Sequence, residues 1–428
     1  MSDSWRARVV IGLVLVGLVP LTSCSGTASS ASLSAAGMVL REVKPADATA
    51  LPAVVAATRK VGTTMLAEAP PTGNVVTSPS SLVMALAMLT EGARSETLAE
   101  LEAALGAAGD QRRDAFAALR GALNALDGDP AVVRSGKLPD KPMVHLADRV
   151  VVDDTYEVSA EYLEALAEGF GAGMQRTDLA SSASKPVLSA WVEQHTGGLI
   201  KESAIEPGPD LRLVLQDAVL LAARWSVPFR SALTTGRPFT LEDGASVEVE
   251  TMASTNSVAY AELDGWKAVR LPYGEGGLHA DLLLPPAGVD PAAATPDLLA
   301  GIDEALDAAT PEPIDLTLPT LDLSPDPLDL LDTLDALGLP SVKCDSPATD
   351  FSGMGPEGLC VAQAVQQAVL KVDEEGTVAA AVTEVAMEAS GMAETPKPLH
   401  LDRPFLFQVA HTETSLPLFV AAVRDPRH

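Results

Sequence analysis

The side chains able to do chemistry are few and far apart in this chain. Its six histidines stand at positions 145, 195, 279, 400, 411 and 428. No His-Glu-x-x-His helix and no Gly-x-Ser-x-Gly elbow occurs, so neither a zinc hydrolase nor an acyl-transfer triad has local support. Gly353, Gly355 and Gly358 have the spacing of a nucleotide-binding turn, but Pro356 interrupts them and no strand-turn-helix pattern surrounds them. Asp315, Asp322, Asp326, Asp329, Asp332 and Asp335 form an acidic run. A solvated helix face suits it better than a calcium loop, whose Gly and Glu are missing. Trp225 and Trp266 fit buried packing better than stacking platforms. The expectation is no cofactor, no metal and no enzyme.

Composition narrows the class further. With 47% hydrophobic and 20% charged residues over 428 positions, the chain can bury a sizeable core. A formal net charge of -29 argues against nucleic acid and against binding anionic lipid through protein charge. Arg6 and Arg8 precede the apolar run from Val9 to Val19, and Leu21-Thr22-Ser23-Cys24 follows, in the order of a secretory signal. A membrane-spanning helix would need about 20 apolar residues. The Leu-Thr-Ser-Cys end resembles the bacterial lipobox, which implies lipidation at Cys24, a cell-membrane anchor and a location facing the extracellular or periplasmic side. The expected organisation is a signal at 1–23, a Ser/Ala/Gly-rich tether at 24–50 and one domain over 51–428. Two further cysteines, Cys344 and Cys360, could be bonded or stand as separate buried thiols; the exported setting favours the bond.

The elements follow from periodicity and punctuation. Helical spacing runs from Leu51 to Glu68, and Ser78-Pro79 reads as an N-cap and first-turn proline leading into an apolar helix. Further helices are expected at Ser95–Leu105, Asp114–Leu126, Ala160–Phe170, Pro186–His195, Ala292–Ala309 and Leu328–Leu337. Strands are expected at Val144–Val152 and Leu211–Leu221, through most of Phe239–Pro285, and at Phe405–Ala410 and Leu418–Val423. Helices crowd the first half and strands the second, which reads as α+β.

One stretch, Asp373 to Pro398, has a mixed character. At period two, Thr377, Ala379, Ala381, Thr383, Val385 and Met387 share a face, yet the residues are small enough to form an exposed helix or loop instead. Such a segment could occupy two structures.

The deciding residues are dispersed. Asn74 to Ser81 with Ala85 to Leu89 and Glu91-Gly92-Ala93, then Trp191-Val192-Glu193 with Thr196-Gly197-Gly198, resemble serpin signatures. So do Leu213-Val214-Leu215 through Trp225 and Pro228-Phe229, Asp350-Phe351-Ser352-Gly353, Asp373 to Thr377 with Ala379-Ala380-Ala381, and Arg403-Pro404-Phe405. The match keeps the family's order from about residue 51 to 426. The resemblance implies a serpin fold with three β-sheets, about eight or nine helices and an exposed reactive-centre loop near 374–398.

The resemblance also implies a function: suicide inhibition of an extracellular protease, whose acyl-enzyme is trapped when the cleaved loop enters the main sheet. The hinge would be Glu375, Gly376, Thr377, Val378, Ala379, Ala380, Ala381 and Val382, with Val378 and Val382 departing from the usual Glu and Ala. Family spacing from Gly376 puts the cleaved bond between Ser390 and Gly391; counting back from Pro404 suggests Ala393, with Met392 between. These small or unbranched residues point to elastase-like, subtilisin-like or chymotrypsin-like serine proteases. Ser78, Ser81, Asp217 and Gln366 would form the shutter where the sheet opens, and Trp225 the breach above it. Asp217 and Gln366 depart from the usual Asn and His, either as a neutral change in a polar pocket or as a compensated pair, with the Gln366 amide donating to an ionised Asp217. A monomer is expected. The alternatives are a non-inhibitory binding protein and a cross-class inhibitor of papain-like cysteine proteases.

Overall fold

The computed structural model describes residues 32–33, 40–135, 138–274, 276–355, 358–377 and 395–427. Cys24, Val378 to Val382, Ser390, Gly391, Met392 and Ala393 therefore lie outside the described residues.

Eight α-helices are found among the described residues: α1 Leu51–Glu68, α2 Pro79–Gly92, α3 Ser95–Leu105, α4 Gly109–Asn124, α5 Ala160–Phe170, α6 Lys185–His195, α7 Pro296–Ala308 and α8 Leu331–Ala336. Three of them, α1, α3 and α5, have the bounds their periodicity predicts. Gly106 and Gly171 end α3 and α5 in left-handed conformation, where a residue without Cβ is unstrained. The Ser78 hydroxyl accepts from Ser81 N to cap α2, and Pro79 sits in its first turn, where no intrahelical N–H bond is lost. No helix among the described residues is long and apolar enough to cross a membrane.

The strands fall into three sheets. In chain order they are β1 Ser32–Leu33, β2 Val75–Thr77, β3 Met143–Asp153, β4 Gly173–Thr177, β5 Leu213–Arg224, β6 Thr235–Thr240, β7 Ser246–Leu263, β8 Trp266–Pro272 and β9 Leu278–Leu284. They continue as β10 Glu312–Pro319, β11 Leu321–Leu323, β12 Leu328–Asp329, β13 Val365–Gln366, β14 Leu370–Val372, β15 Gly376–Thr377, β16 Lys397–His400, β17 Phe405–His411 and β18 Leu416–Val423. A seven-stranded sheet has the order β1-β4-β3-β5-β15-β14-β11. A nine-stranded sheet runs β16-β10-β7-β8-β9-β17-β18-β2, with β6 on β7, and β12 pairs with β13 alone. Helix α2 lies between the two large sheets, touching β5 and β18, and its Leu82, Val83, Leu86, Ala87 and Met88 are buried there. That burial on both sides explains why its sequence is apolar nearly all round. Helix α6 crosses the other face of β3 and β5.

Several expected bounds shift for identifiable reasons. Helix α4 starts at Gly109 rather than Asp114 because Glu102 Oε1 accepts from Gly109 N at 2.7 Å and caps it. Helix α7 starts at Pro296, where the Thr295 hydroxyl accepts from Leu298 N, and Pro291–Ala293 forms a separate 3-10 turn. The single helix expected over Leu328–Leu337 is a strand and a short helix. Leu328 pairs with Gln366, and Asp329 Oδ1 accepts from Leu331 N at 2.9 Å to start α8.

Cys344 and Cys360 are joined by a disulfide, with Cα atoms 4.8 Å apart and a sequence separation of 16. The bond lies next to the bridge between Lys343 and Val361. For a loop of this length, chain entropy predicts that C344S/C360S loses about 3 kcal/mol. Urea unfolding of the variant against the oxidised wild type should show the loss, and equal midpoints would show that the bond contributes nothing.

Candidate functional site

The sheet is interrupted beside β5. On one edge, β5 pairs with β3 from Leu213 to Ala222. On the other edge its strand partner is β15, and only at Ala223 and Arg224. Below that contact no strand among the described residues joins β5 to the segment 358–370, and a cavity of about 360 Å³ opens between them. Leu215, Asp217 and Val219 line one wall, and Gln366 and Ala368 line the other. Ser78, Ser81, Leu82 and Ala85 of α2 line it as well, and Thr377 reaches into its end. The outer side is strapped: Ala204 N donates to Gln367 Oε1 at 2.9 Å, Glu206 N to Gln363 Oε1 at 3.0 Å, and Gln363 Nε2 to Glu206 O at 2.8 Å.

The α2 N-terminus holds both walls. Ser78 N donates to Gln366 Oε1 at 2.8 Å, and Gln366 Nε2 donates to Ser78 O at 2.9 Å, so the glutamine amide behaves as a backbone mimic. The Ser81 hydroxyl donates to Asp217. The expected pairing of Gln366 with Asp217 is thus not formed, because both ends of the amide are spent on the Ser78 backbone. Asp217 instead faces Asp148, its register partner on β3. Burial, then the Asp148 charge, pushes the Asp217 carboxyl well above its usual range, and burial also raises Asp148.

Above the cavity, Trp225 organises the start of the loop. Its Nε1 donates to Asp373 O at 3.0 Å, its backbone N to Glu375 O at 2.9 Å, and its ring stacks on Tyr273 at 4.5 Å between centroids. The Tyr273 and Thr377 hydroxyls are 2.5 Å apart. Each acidic residue of the run Asp373-Glu374-Glu375 has a job. Asp373 Oδ1 accepts from Glu375 N and Gly376 N, Glu374 Oε1 accepts from the Thr234 hydroxyl at 2.6 Å, and Glu375 meets Arg224 at 3.0 Å. Gly376 lies against β5 so tightly that a Cβ there would sit 2.1 Å from Ala223 O. Gly376 and Thr377 are therefore already strand residues, paired with Arg224 and Ala223, and Thr377 also pairs with Val372.

The reading of residue types missed Asp148, Gln363, Gln367, Tyr273 and Arg224. Only Asp148 carried a signal: like Asp217, it is an acid in the middle of a mostly apolar strand. His279, Asp281 and Asp303 come close enough to hold a metal ion. Arg270 already binds both carboxylates, at 2.8 Å and 2.6 Å, so the two acids are held in an ion-pair cage, with His279 Nε2 3.5 Å from Asp281. The acidic run Asp315 to Asp335 is spread over β10, β11, β12, α8 and the loops between, with Asp322 paired to Lys371 and Asp335 to Lys343.

The family model described as "Serpin (serine protease inhibitor)" matches residues 61–426. An uncharacterized serpin-like protein of Thermococcus kodakarensis is 30% identical over 83% of this chain and 81% of its own length. The leukocyte elastase inhibitor of Bos taurus is 28% identical over 84% of this chain and 95% of its own. Among solved structures, the thermophilic serpin tengpin in its native state superposes with a TM-score of 0.78 at 22% identity, covering 92% of this chain and 99% of tengpin. With its three sheets, its eight described helices and a match spanning nearly the whole chain, this protein belongs to the serpin family.

Proposed function

We propose that this chain is a suicide inhibitor of an extracellular serine protease, tethered to the bacterial cell membrane through a lipid on Cys24. The observation that supports it best is the cavity beside β5, where no strand among the described residues pairs with it below Ala223, with Gly376 and Thr377 paired at its upper end. A protease that attacks the Ser390 carbonyl would form an ester through its serine and release the amine of Gly391. The freed segment can then continue the pairing that Gly376 and Thr377 begin, one residue at a time down the edge of β5. Each backbone hydrogen bond gained contributes about 1 kcal/mol net, so completing the strand supplies a driving force that a short exposed loop lacks.

The residues that must travel first suit the task. Val378, Ala379, Ala380, Ala381 and Val382 are small and uncharged, so entry buries no charge and little new volume. That composition favours inhibition over the alternative of a non-inhibitory binding protein. Ser390 at the cleaved bond favours elastase-like or subtilisin-like enzymes, because no basic residue stands near it for a trypsin-like pocket.

Two outcomes are expected. An equimolar mixture with pancreatic elastase or subtilisin should give an SDS-stable complex of chain plus protease, with mass spectrometry of the released peptide placing its first residue at Gly391. Cleaved chain with no covalent complex would remove the inhibitory reading, and a first residue at Ala393 or beyond would move the bond. Gly376→Val should shift the balance from complex to simple cleavage by about tenfold or more, because its side chain collides with backbone of β5. An unchanged ratio of complex to cleaved chain would show that the close approach at Gly376 does not limit entry.

A further inference from the structure

The two carboxylates in the middle of the main sheet are arranged in a way the inhibitory reading does not use. Asp148 on β3 and Asp217 on β5 are directly opposed in antiparallel register. Their sequence neighbours Arg149 and Gln216 bond to each other and to Val187 O and Leu188 O of α6. By strand alternation the two aspartates therefore share the opposite face, toward α2. There the carboxyl groups are within hydrogen-bonding reach of one another, and the Ser81 hydroxyl donates to Asp217.

The groups facing the pair supply little compensating charge. From α4, the Arg120 guanidinium acts on Asp148 across space, with Glu42 acting on the same guanidinium. Its Nη2 is engaged by Arg41 O at 3.1 Å, while its Nε and Nη1 form no hydrogen bond among the described residues, so Asp148 has no ion-pair contact with it. From α2 come only the neutral Ser78 and Ser81, and from across the slot the neutral Gln366, committed to Ser78. Asp148 Oδ1 has no partner among the described residues. Two carboxylates in contact in an enclosed site cannot both hold full charge without a cation between them.

We propose that Asp148 and Asp217 hold one proton between them in the native state, forming a pH-sensitive pin on the closed slot. With the proton in place, the pair and Ser81 fasten β5 to β3 and to α2. Without it, two facing carboxylates load the same contacts. Ser81 and Ser78 grip opposite walls of the slot, so weakening the Ser81 side loosens the wall that β15 enters.

The sign follows from linkage. Both groups bind protons more tightly in the folded chain than in the unfolded one. Their contribution is fully present below the ordinary aspartate range near about pH 4 and is lost as pH rises through the raised folded values. The pin is therefore an element that alkali, not acid, releases. The readouts below use the uncleaved chain, so they stand whether or not any protease is inhibited.

The test compares thermal midpoints of the wild type, D217N, D148N and the exposed control D110N, whose parent side chain is 77% exposed. Between about pH 5 and about pH 9 the wild-type midpoint should fall by about 5 °C more than that of D217N, which keeps a hydrogen bond to Asp148 but cannot titrate. D148N should flatten the profile likewise, and D110N should run parallel to the wild type. Infrared difference spectra of the native wild type near neutral pH should contain the carbonyl stretch of a protonated carboxyl, absent from D217N and D148N. Parallel profiles for all four proteins, or no such band in the wild type, would overturn the proposal. Should D217N fail to fold, D148N and the wild-type spectrum decide the matter alone.

Discussion

Among the described residues, one edge of β5 has no strand beside it for most of its length, and much of the described structure is arranged around that edge. Backbone N–H and C=O groups on such an edge form a template for another strand. Three devices surround it. Helix α2 lies beneath, with Ser81 on one wall and Ser78 on the other. The 203–206 strap crosses outside, bonded to Gln363 and Gln367. At the top, Gly376 and Thr377 of β15 pair with Arg224 and Ala223.

The approach to that pairing is a local arrangement. The short acidic run before the hinge is fully engaged by Trp225, Phe229, Thr234 and Arg224, which fold the chain back so that Gly376 meets β5 from the antiparallel direction. Trp225 is central because it contributes an indole donor, a backbone donor and a stacking face to three different partners.

Local rules carried far where the controlling interactions are local. Helices α3 and α5 keep their expected ends because glycine caps follow them directly, and α1 because its apolar stripe lies within the segment itself. The Ser78 cap was readable for the same reason. The expectation failed at Leu328–Leu337, where pairing with Val365–Gln366 overrides a helical pattern. It failed again for Asp217 and Gln366. Each residue has a partner, but a different one from that expected: the glutamine satisfies a helix N-terminus and the aspartate meets a second aspartate. Residue types state what a side chain can donate or accept, whereas register decides whom it meets.

The sequence alone therefore determined the family, the α+β class, the boundaries of helices with self-contained caps, and the small-residue character of the hinge. These depend on composition, on short-range periodicity and on motifs recognisable in order. Only the tertiary structure decided that a cavity flanks β5 among the described residues, that Gly376 and Thr377 already lie in the sheet, and that Asp148 and Asp217 confront each other. Those facts depend on which strands become neighbours, and strand neighbours are chosen by burial across the whole chain rather than by the residues adjacent in sequence.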